Sequence, residues 1–94
     1  MIFNWNDDKN ARLKRERHIG FEEIIIAIEN GQLLDILVHP DINKYKNQKL
    51  YVVAMENYVY IVPFKEDKDE IYLITIFPSR KYTKKYFGRE RNNS

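Results

Sequence analysis

The sequence predicts a small α+β protein in which two N-terminal helices pack on an antiparallel β-meander sheet and a basic helix ends the chain. Apolar residues recur at helical spacing from Phe21 to Ile28, which predicts an amphipathic helix. Three runs rich in aromatic and β-branched residues then lie between 49 and 77, and their short links predict a meander. A segment dense in Lys and Tyr follows. The predicted order is β-α-α-β-β-β-α.

The N-terminal elements show ordinary capping signals. Phe3 and Trp5 alternate with polar neighbours, which suits a short strand. Asn6 is a good N-cap for a surface helix that runs from residue 7 to about residue 17. Gly31 is well placed as the C′ residue of the second helix.

The C-terminal half reads as strands and turns. The stretch 33–39 is either a strand or an extended connection, and the polar loop 41–48 follows Pro40. Glu56-Asn57 is a plausible tight turn between two strands. Pro63 has no amide donor, so it belongs at a bulge or on an edge. The three predicted strands are 49–55, 58–64 and 70–77.

Length and composition indicate one domain. The 94 residues contain 44% hydrophobic residues, three Gly and no Cys, which predicts a single folded unit over 1–88 and a flexible basic tail over 89–94. No apolar run approaches the about 20 residues that cross a bilayer, and the N-terminus lacks the pattern of a secretory signal. We therefore expect a cytoplasmic protein that does not enter membranes.

Charge is segregated along the chain. The net charge is +2 over 1–18, −5 over 19–78 and +5 over 79–94. If the fold brings the two ends together, they form a basic face suited to a polyanion.

The final helix is the most informative segment. At about 100° per residue, its cations fall on one arc and its large aromatic side chains on the remainder. The cations are Arg80, Lys81, Lys84 and Lys85. The aromatic residues are Tyr82, Tyr86 and Phe87. We expect one side of the helix to pack on the sheet while the other offers positive charge to a phosphate.

Three blocks of the chain resemble one protein family. They are FNWNDDK at 3–9, IGFEE at 19–23 and TIFPSRKYT at 75–83. They resemble the opening strand, the start of the second helix and the last strand-to-helix junction of BrnT-type toxins. The resemblance spans roughly residues 3–86.

The resemblance implies a type II toxin with a RelE-like fold that acts as an endoribonuclease. It also implies a cognate antitoxin, through which such toxins often oligomerise. The chain departs from the family at two places. His18 stands where the family often has Gly, with Arg17 where it often has His, and Tyr86 stands where many members have Glu.

Cleavage of RNA by 2′-hydroxyl attack needs a base, cations for the phosphorane and an acid. The sequence has no metal-ligand spacing, because His18 and His39 are far apart and Cys is absent. We therefore expect no metal or cofactor. The candidate catalytic residues are Arg80 to grip the phosphate, Lys84 to neutralise it, Tyr86 as acid and His18 as base or acid.

The remaining basic residues are candidates for RNA binding: Lys81, Lys85, Arg12, Arg15 and Arg17. Those of the first helix could equally form the binding site of an acidic antitoxin or a solvated face. The pattern equally places Tyr86 in the core. Two functions stay open. One is a toxin endoribonuclease, and the other is a non-catalytic module, an inactive toxin relative, that binds RNA or antitoxin.

Overall fold

The fold, taken from a computed structural model that describes residues 2–88, is α+β with three helices and a six-stranded mixed sheet. The predicted tail at 89–94 lies outside the described residues. No helix within 2–88 has the length and apolar character needed to span a bilayer. The elements are β1 Ile2–Asn4, α1 Asp7–Arg17, α2 Phe21–Glu29, β2 Leu33–Val38, β3 Gln48–Met55, β4 Tyr58–Asp67, β5 Glu70–Leu73, β6 Phe77–Pro78 and α3 Arg80–Thr83, which continues as a π-helical turn over Lys84–Gly88.

The sheet has the order β1-β5-β4-β3-β2, with β6 paired to β4. Strands β2 to β5 form the predicted antiparallel meander. The expectation of a purely antiparallel sheet is wrong, because β1 pairs with β5 in parallel. A short N-terminal strand does not reveal its partner or direction in its own sequence. The undecided stretch 33–39 supplies β2, which forms one edge of the sheet.

The two N-terminal helices are joined by Asn10, a buried polar side chain on α1. Its Oδ1 accepts the backbone N–H of Phe21 at 2.8 Å, and its Nδ2 donates to the Glu22 carboxylate at 3.1 Å. Because the N-cap of α2 is Gly20, which has no side chain, Asn10 and Glu23 satisfy the first amides of α2 instead. A Cβ at Gly20 would lie only 2.5 Å from Lys14 Cε, so α1 packs directly over this cap.

The sheet buries both of its faces. On the first face, α1 and α2 cover a core that includes Phe21, Ile24 and Leu73. On the second face, the C-terminal helical segment covers Leu50, Val52, Val59 and Ile61. Its partly buried side chains Tyr82, Tyr86 and Phe87 pack against them. The last helix therefore lies on the face of the sheet opposite the first two helices.

A β-bulge between β5 and β6 sends the chain to the second face. Phe64 pairs with Leu73, and Ile61 pairs with Phe77. Three residue steps along β4 therefore lie opposite four steps along the β5–β6 side, which has one extra residue. The Pro63 carbonyl accepts the Ile74 N–H at 2.9 Å, on the β5–β6 side of β4. The N–H that proline lacks would point to the same side, which is where the bulge lies. Of the two positions predicted for Pro63, a bulge or an edge, the structure has the bulge.

Thr83 attaches the C-terminal segment to the sheet. The ladder continues past β6 to Ser79, whose N–H bonds to the Val59 carbonyl at 2.8 Å. The Ser79 carbonyl then accepts the Thr83 N–H and is lost to the ladder. The buried Thr83 Oγ1 accepts the Val59 N–H in its place, at 2.8 Å. A side-chain hydroxyl thus substitutes for a strand carbonyl where the chain becomes helical.

We expect Thr83→Val to lower the free energy of unfolding by about 1–3 kcal/mol, because the buried Val59 N–H loses its acceptor. Urea denaturation measures the change. Thr83→Ser keeps the hydroxyl and serves as the matched control, with a smaller loss from the missing methyl group. Equal losses in the two variants would contradict this role for the hydroxyl.

We expect part of the acid sensitivity of the fold to come from Glu22. The hydrogen bond from Asn10, with a backbone hydrogen bond and the nearby Lys14, holds the pKa of the Glu22 carboxyl below its ordinary value of 4.5. A lowered folded-state pKa gives stability that is fully present above pH 4.5 and lost as the pH falls through the folded-state value. Glu22→Gln should therefore narrow the difference between urea midpoints at pH 7 and pH 3. An unchanged difference would exclude this contribution.

Candidate nucleic-acid interface

The C-terminal helical segment starts at a side-chain cap and changes its winding after one turn. Ser79 is the N-cap, and its Oγ accepts the Tyr82 N–H at 3.1 Å. The α-helical turn of α3 then passes into the π-helical turn over Lys84–Gly88. The predicted helix is therefore present, but its second half does not have α-helical winding.

The π-helical turn keeps the aromatic residues against the sheet. In an α-helix each residue advances by about 100°, which would rotate Phe87 away from the side of Tyr82. Hydrogen bonding between residues five apart reduces the rotation per residue in a π-helix, so side chains four residues apart lie nearly in line along the helix axis. Tyr86 therefore follows Tyr82, and Phe87 follows the buried Thr83. All three aromatic side chains are partly buried on the second face.

The opposite side of this segment is a cationic surface, made by Arg80, Lys81, Lys84 and Lys85. All four side chains are exposed, as the helical arrangement predicts. The ion pairs formed within residues 2–88 are Lys14–Glu22 and Lys49–Glu66, and neither involves this surface. The positive charge of the four side chains is therefore not neutralised by contact with a carboxylate of the described residues.

Two of these cations lie against tyrosine rings. Lys81 Nζ is 5.5 Å from the centroid of the Tyr82 ring, and Lys85 Nζ is 5.8 Å from the same centroid. Lys85 Nζ is also 5.6 Å from the Tyr86 centroid. These distances fall within the range of cation–π attraction. The cationic surface thus alternates ammonium groups with aromatic edges, a pattern that suits phosphates joined to bases.

The basic residues of α1 lie mostly away from the cationic surface. Arg12 and Arg15 are exposed on α1, the helix that packs on the first face. Arg17 is the exception, because its Nη1 donates to the Ile76 carbonyl at 2.7 Å, next to β6. This contact joins the end of α1 to the segment just before β6, whereas α1 and α3 pack on opposite faces of the sheet. One N–H of Arg17 therefore holds the end of α1 against the β5–β6 bulge.

His18 occupies the C-cap of α1 in a left-handed conformation, with φ 59° and ψ 30°. This conformation explains why glycine suits the position, since a Cβ is unfavourable there. The imidazole is exposed, and no side-chain hydrogen bond within residues 2–88 joins His18 to Arg80, Lys84 or Tyr86. The four candidate catalytic residues are thus not preassembled as a hydrogen-bonded group.

A pocket of about 490 Å³ lies beside the cationic surface, on the second face of the sheet. Its lining comes from the end of β2, the middle of the sheet and the start of the C-terminal segment. The lining residues are Leu37, Val38, Pro40, Leu50, Ile61, Phe77, Ser79, Lys81 and Tyr82. This pocket was not predicted from the sequence. The sequence does contain a signal for it, because the stretch 33–39 and Phe77 are apolar on both alternating sides of their strands. Regular alternation would place only one of those sides in the core.

Among residues 2–88, no three His, Asp or Glu side chains converge as a group that would hold a metal ion.

No family model, curated protein or solved structure matches this chain. The likeness to BrnT-type toxins therefore remains a prediction, carried by the three sequence blocks alone.

We expect His18→Gly to raise the free energy of unfolding by about 0.5–1 kcal/mol, because glycine adopts the left-handed conformation without strain. Chemical denaturation measures this change. His18→Ala keeps the Cβ and the strain, so it should not gain stability. If both variants lose stability equally, the imidazole makes a structural contact that outweighs the strain.

Proposed function

We propose that this chain is the toxin of a type II toxin–antitoxin system, a RelE-like endoribonuclease that binds RNA on its C-terminal helical segment. One observation carries the proposal: four exposed cations that contact no carboxylate within residues 2–88, interleaved with tyrosine rings. Uncompensated positive charge attracts a phosphate backbone, and aromatic rings accept unstacked bases. The three family-like sequence blocks add the toxin class and the cognate antitoxin as partner.

The proposed reaction is an intramolecular transesterification of RNA. The 2′-oxygen bonds to the adjacent phosphorus, and the bond from phosphorus to the 5′-oxygen breaks. A base takes the proton of the 2′-hydroxyl, and an acid protonates the departing 5′-oxygen. The products end in a 2′,3′-cyclic phosphate and a 5′-hydroxyl.

Arg80 and Lys84 are the proposed phosphate-binding pair. They lie one helical turn apart on the same stripe of the exposed surface, because the segment continues from α3 into the π-helical turn. The planar guanidinium of Arg80 can bind two phosphate oxygens, and the ammonium group of Lys84 adds a second charge. Together they would stabilise the dianionic phosphorane more than the monoanionic substrate.

Tyr86 and His18 are the proposed proton-transfer groups, and they differ in position. Tyr86 is half-buried beside Lys85, on the segment that carries Arg80 and Lys84. His18 lies at the end of α1, next to Arg17, whose guanidinium contacts Ile76. Arg80 lies four positions after Ile76 in the chain, and this stretch spans at most about 14 Å. RNA that follows the β6 edge would therefore pass from the Arg17 end of α1 to the cationic surface.

A second function, non-catalytic binding of RNA or of an antitoxin, is favoured by one observation. The candidate acid and base groups make no hydrogen bonds to one another within residues 2–88. A binding module needs the cationic surface and no such arrangement. Purified protein and end-labelled RNA distinguish the two functions, because cyclic-phosphate products require the enzyme and retarded, intact RNA indicates the binder.

We expect Arg80→Ala combined with Lys84→Ala to reduce RNA cleavage by at least about 10²-fold, since each cation is proposed to contact the reacting phosphate. The slope of log affinity against log salt concentration should fall by about 1.4, from two lost phosphate contacts to a single strand. Single-turnover cleavage and salt-dependent binding measure the two quantities.

Lys65→Ala is the matched control for charge, because Lys65 is an exposed cation on β4 outside this surface. It should leave both cleavage and the salt slope close to those of the parent. Full cleavage by the Arg80 and Lys84 double variant would contradict the proposed site.

A further inference from the structure

The pocket on the second face shares residues with the cationic surface. Ser79, Lys81 and Tyr82 line the pocket and also begin the segment that carries the four cations. Phe77, which is 38% exposed, forms a second aromatic wall. A ligand group in this pocket is therefore next to any phosphate held by the neighbouring cations.

The lining has the chemistry of a site for a flat, mostly apolar group. Of the nine lining residues, five are aliphatic, two are aromatic, Ser79 is polar and Lys81 is charged. Leu50 and Ile61 form the floor from adjacent strands. The volume lies within the about 300–1,000 Å³ range of small-ligand sites.

Two of the three polar side chains that line the pocket, Ser79 and Lys81, offer donors to a ligand. The Ser79 oxygen already accepts the Tyr82 N–H, which leaves the hydroxyl proton free to donate. Lys81 offers an ammonium group, which has donors and no acceptor. A ligand edge that carries acceptors therefore matches the pocket better than an edge that carries donors.

We infer that this pocket receives one unstacked nucleobase of the bound RNA and prefers guanine or uracil to adenine or cytosine. The inference rests on the proposed function, because the phosphate of the same nucleotide would bind the cationic surface. Guanine presents O6 and N7 as adjacent acceptors, and uracil presents O4, whereas adenine and cytosine present an amino group at the corresponding edge. The rings of Phe77 and Tyr82 supply surfaces on which any base can stack.

Charge favours RNA over a protein segment as the occupant. An apolar peptide would fill the pocket without using Lys81, and it would leave the adjacent Arg80, Lys84 and Lys85 without partners. RNA satisfies both features together, since each base is joined to a phosphate. The positive rim and the apolar floor are then two parts of one nucleotide site.

The test uses 2′-O-methyl RNA octamers, which lack the attacking hydroxyl and stay intact. Each probe has one central variable base among seven adenosines, and fluorescence anisotropy gives the four affinities for the parent protein. We expect the guanine and uracil probes to bind about fivefold more tightly than the adenine and cytosine probes. Equal affinities for the four probes would overturn the inference.

Two pairs of variants locate the preference. Lys81→Met should abolish the difference in affinity between the guanine or uracil probes and the adenine or cytosine probes. Lys85→Met should weaken the binding of all four probes alike and keep that difference. Lys85 is the matched control because it also lies over Tyr82 but does not line the pocket. If Lys81→Met keeps that difference, the base is read elsewhere and the inference is wrong.

Phe77→Ala should weaken binding of every probe about five- to tenfold through lost stacking. Tyr72→Ala should not, because Tyr72 is similarly exposed, at 42%, and lies outside the pocket. If Phe77→Ala changes no affinity for RNA but weakens binding of the co-expressed neighbouring antitoxin, the pocket is a protein-docking site and the inference is overturned.

Failure of the inference is distinguishable from failure of the proposed function. Probes that bind with equal affinity, through Arg80 and Lys84, contradict the base pocket and leave the RNA-binding function in place. Absence of binding by any probe contradicts both.

Discussion

The missing amide of Pro63 is the constraint on which the position of the C-terminal segment depends. Pro63 lies in β4, between β3 and β5, where a regular ladder would require its N–H. The bulge opposite Pro63 removes that requirement and inserts one residue. Because side chains alternate along a strand, one extra residue reverses which face the following side chains meet.

The bulge has consequences for both faces of the sheet. Ile76 is buried in the core of the first face, whereas its neighbour Phe77 lines the pocket on the second face. The chain then enters α3 on the second face, and the Thr83 hydroxyl satisfies the Val59 N–H that the helix would otherwise leave without a partner. The location of the cationic surface thus follows from one backbone irregularity, the bulge opposite Pro63 of the central strand.

The same geometry separates the two basic ends of the chain. The charge distribution along the sequence suggested one merged basic face, but α1 and α3 cover opposite faces of the sheet. Among residues 2–88, Arg17 extends from the end of α1 to the Ile76 carbonyl beside the bulge. The cationic surface on the C-terminal segment is therefore the main candidate interface, with the end of α1 at its margin.

Local signals in the sequence determined the elements of this protein. Asn6 caps α1, Gly31 follows α2 with φ 81°, and Glu56-Asn57 forms the two-residue turn with both φ values positive. These predictions are confirmed because capping, glycine conformation and tight turns depend on neighbouring residues. The helical arrangement also predicted which side chains of residues 80–87 are exposed, although it did not predict the π-helical turn.

The tertiary structure decided which elements meet. The parallel pairing of β1 with β5, the side of the sheet that α3 covers and the pocket between β2 and α3 all join residues distant in sequence. Hydrophobic periodicity records that a residue is buried but does not record which partner buries it. The missing donor of Pro63 predicted a bulge or an edge position, and only the pairing of β4 with β5 and β6 showed that a bulge is present and carries the cations to the second face.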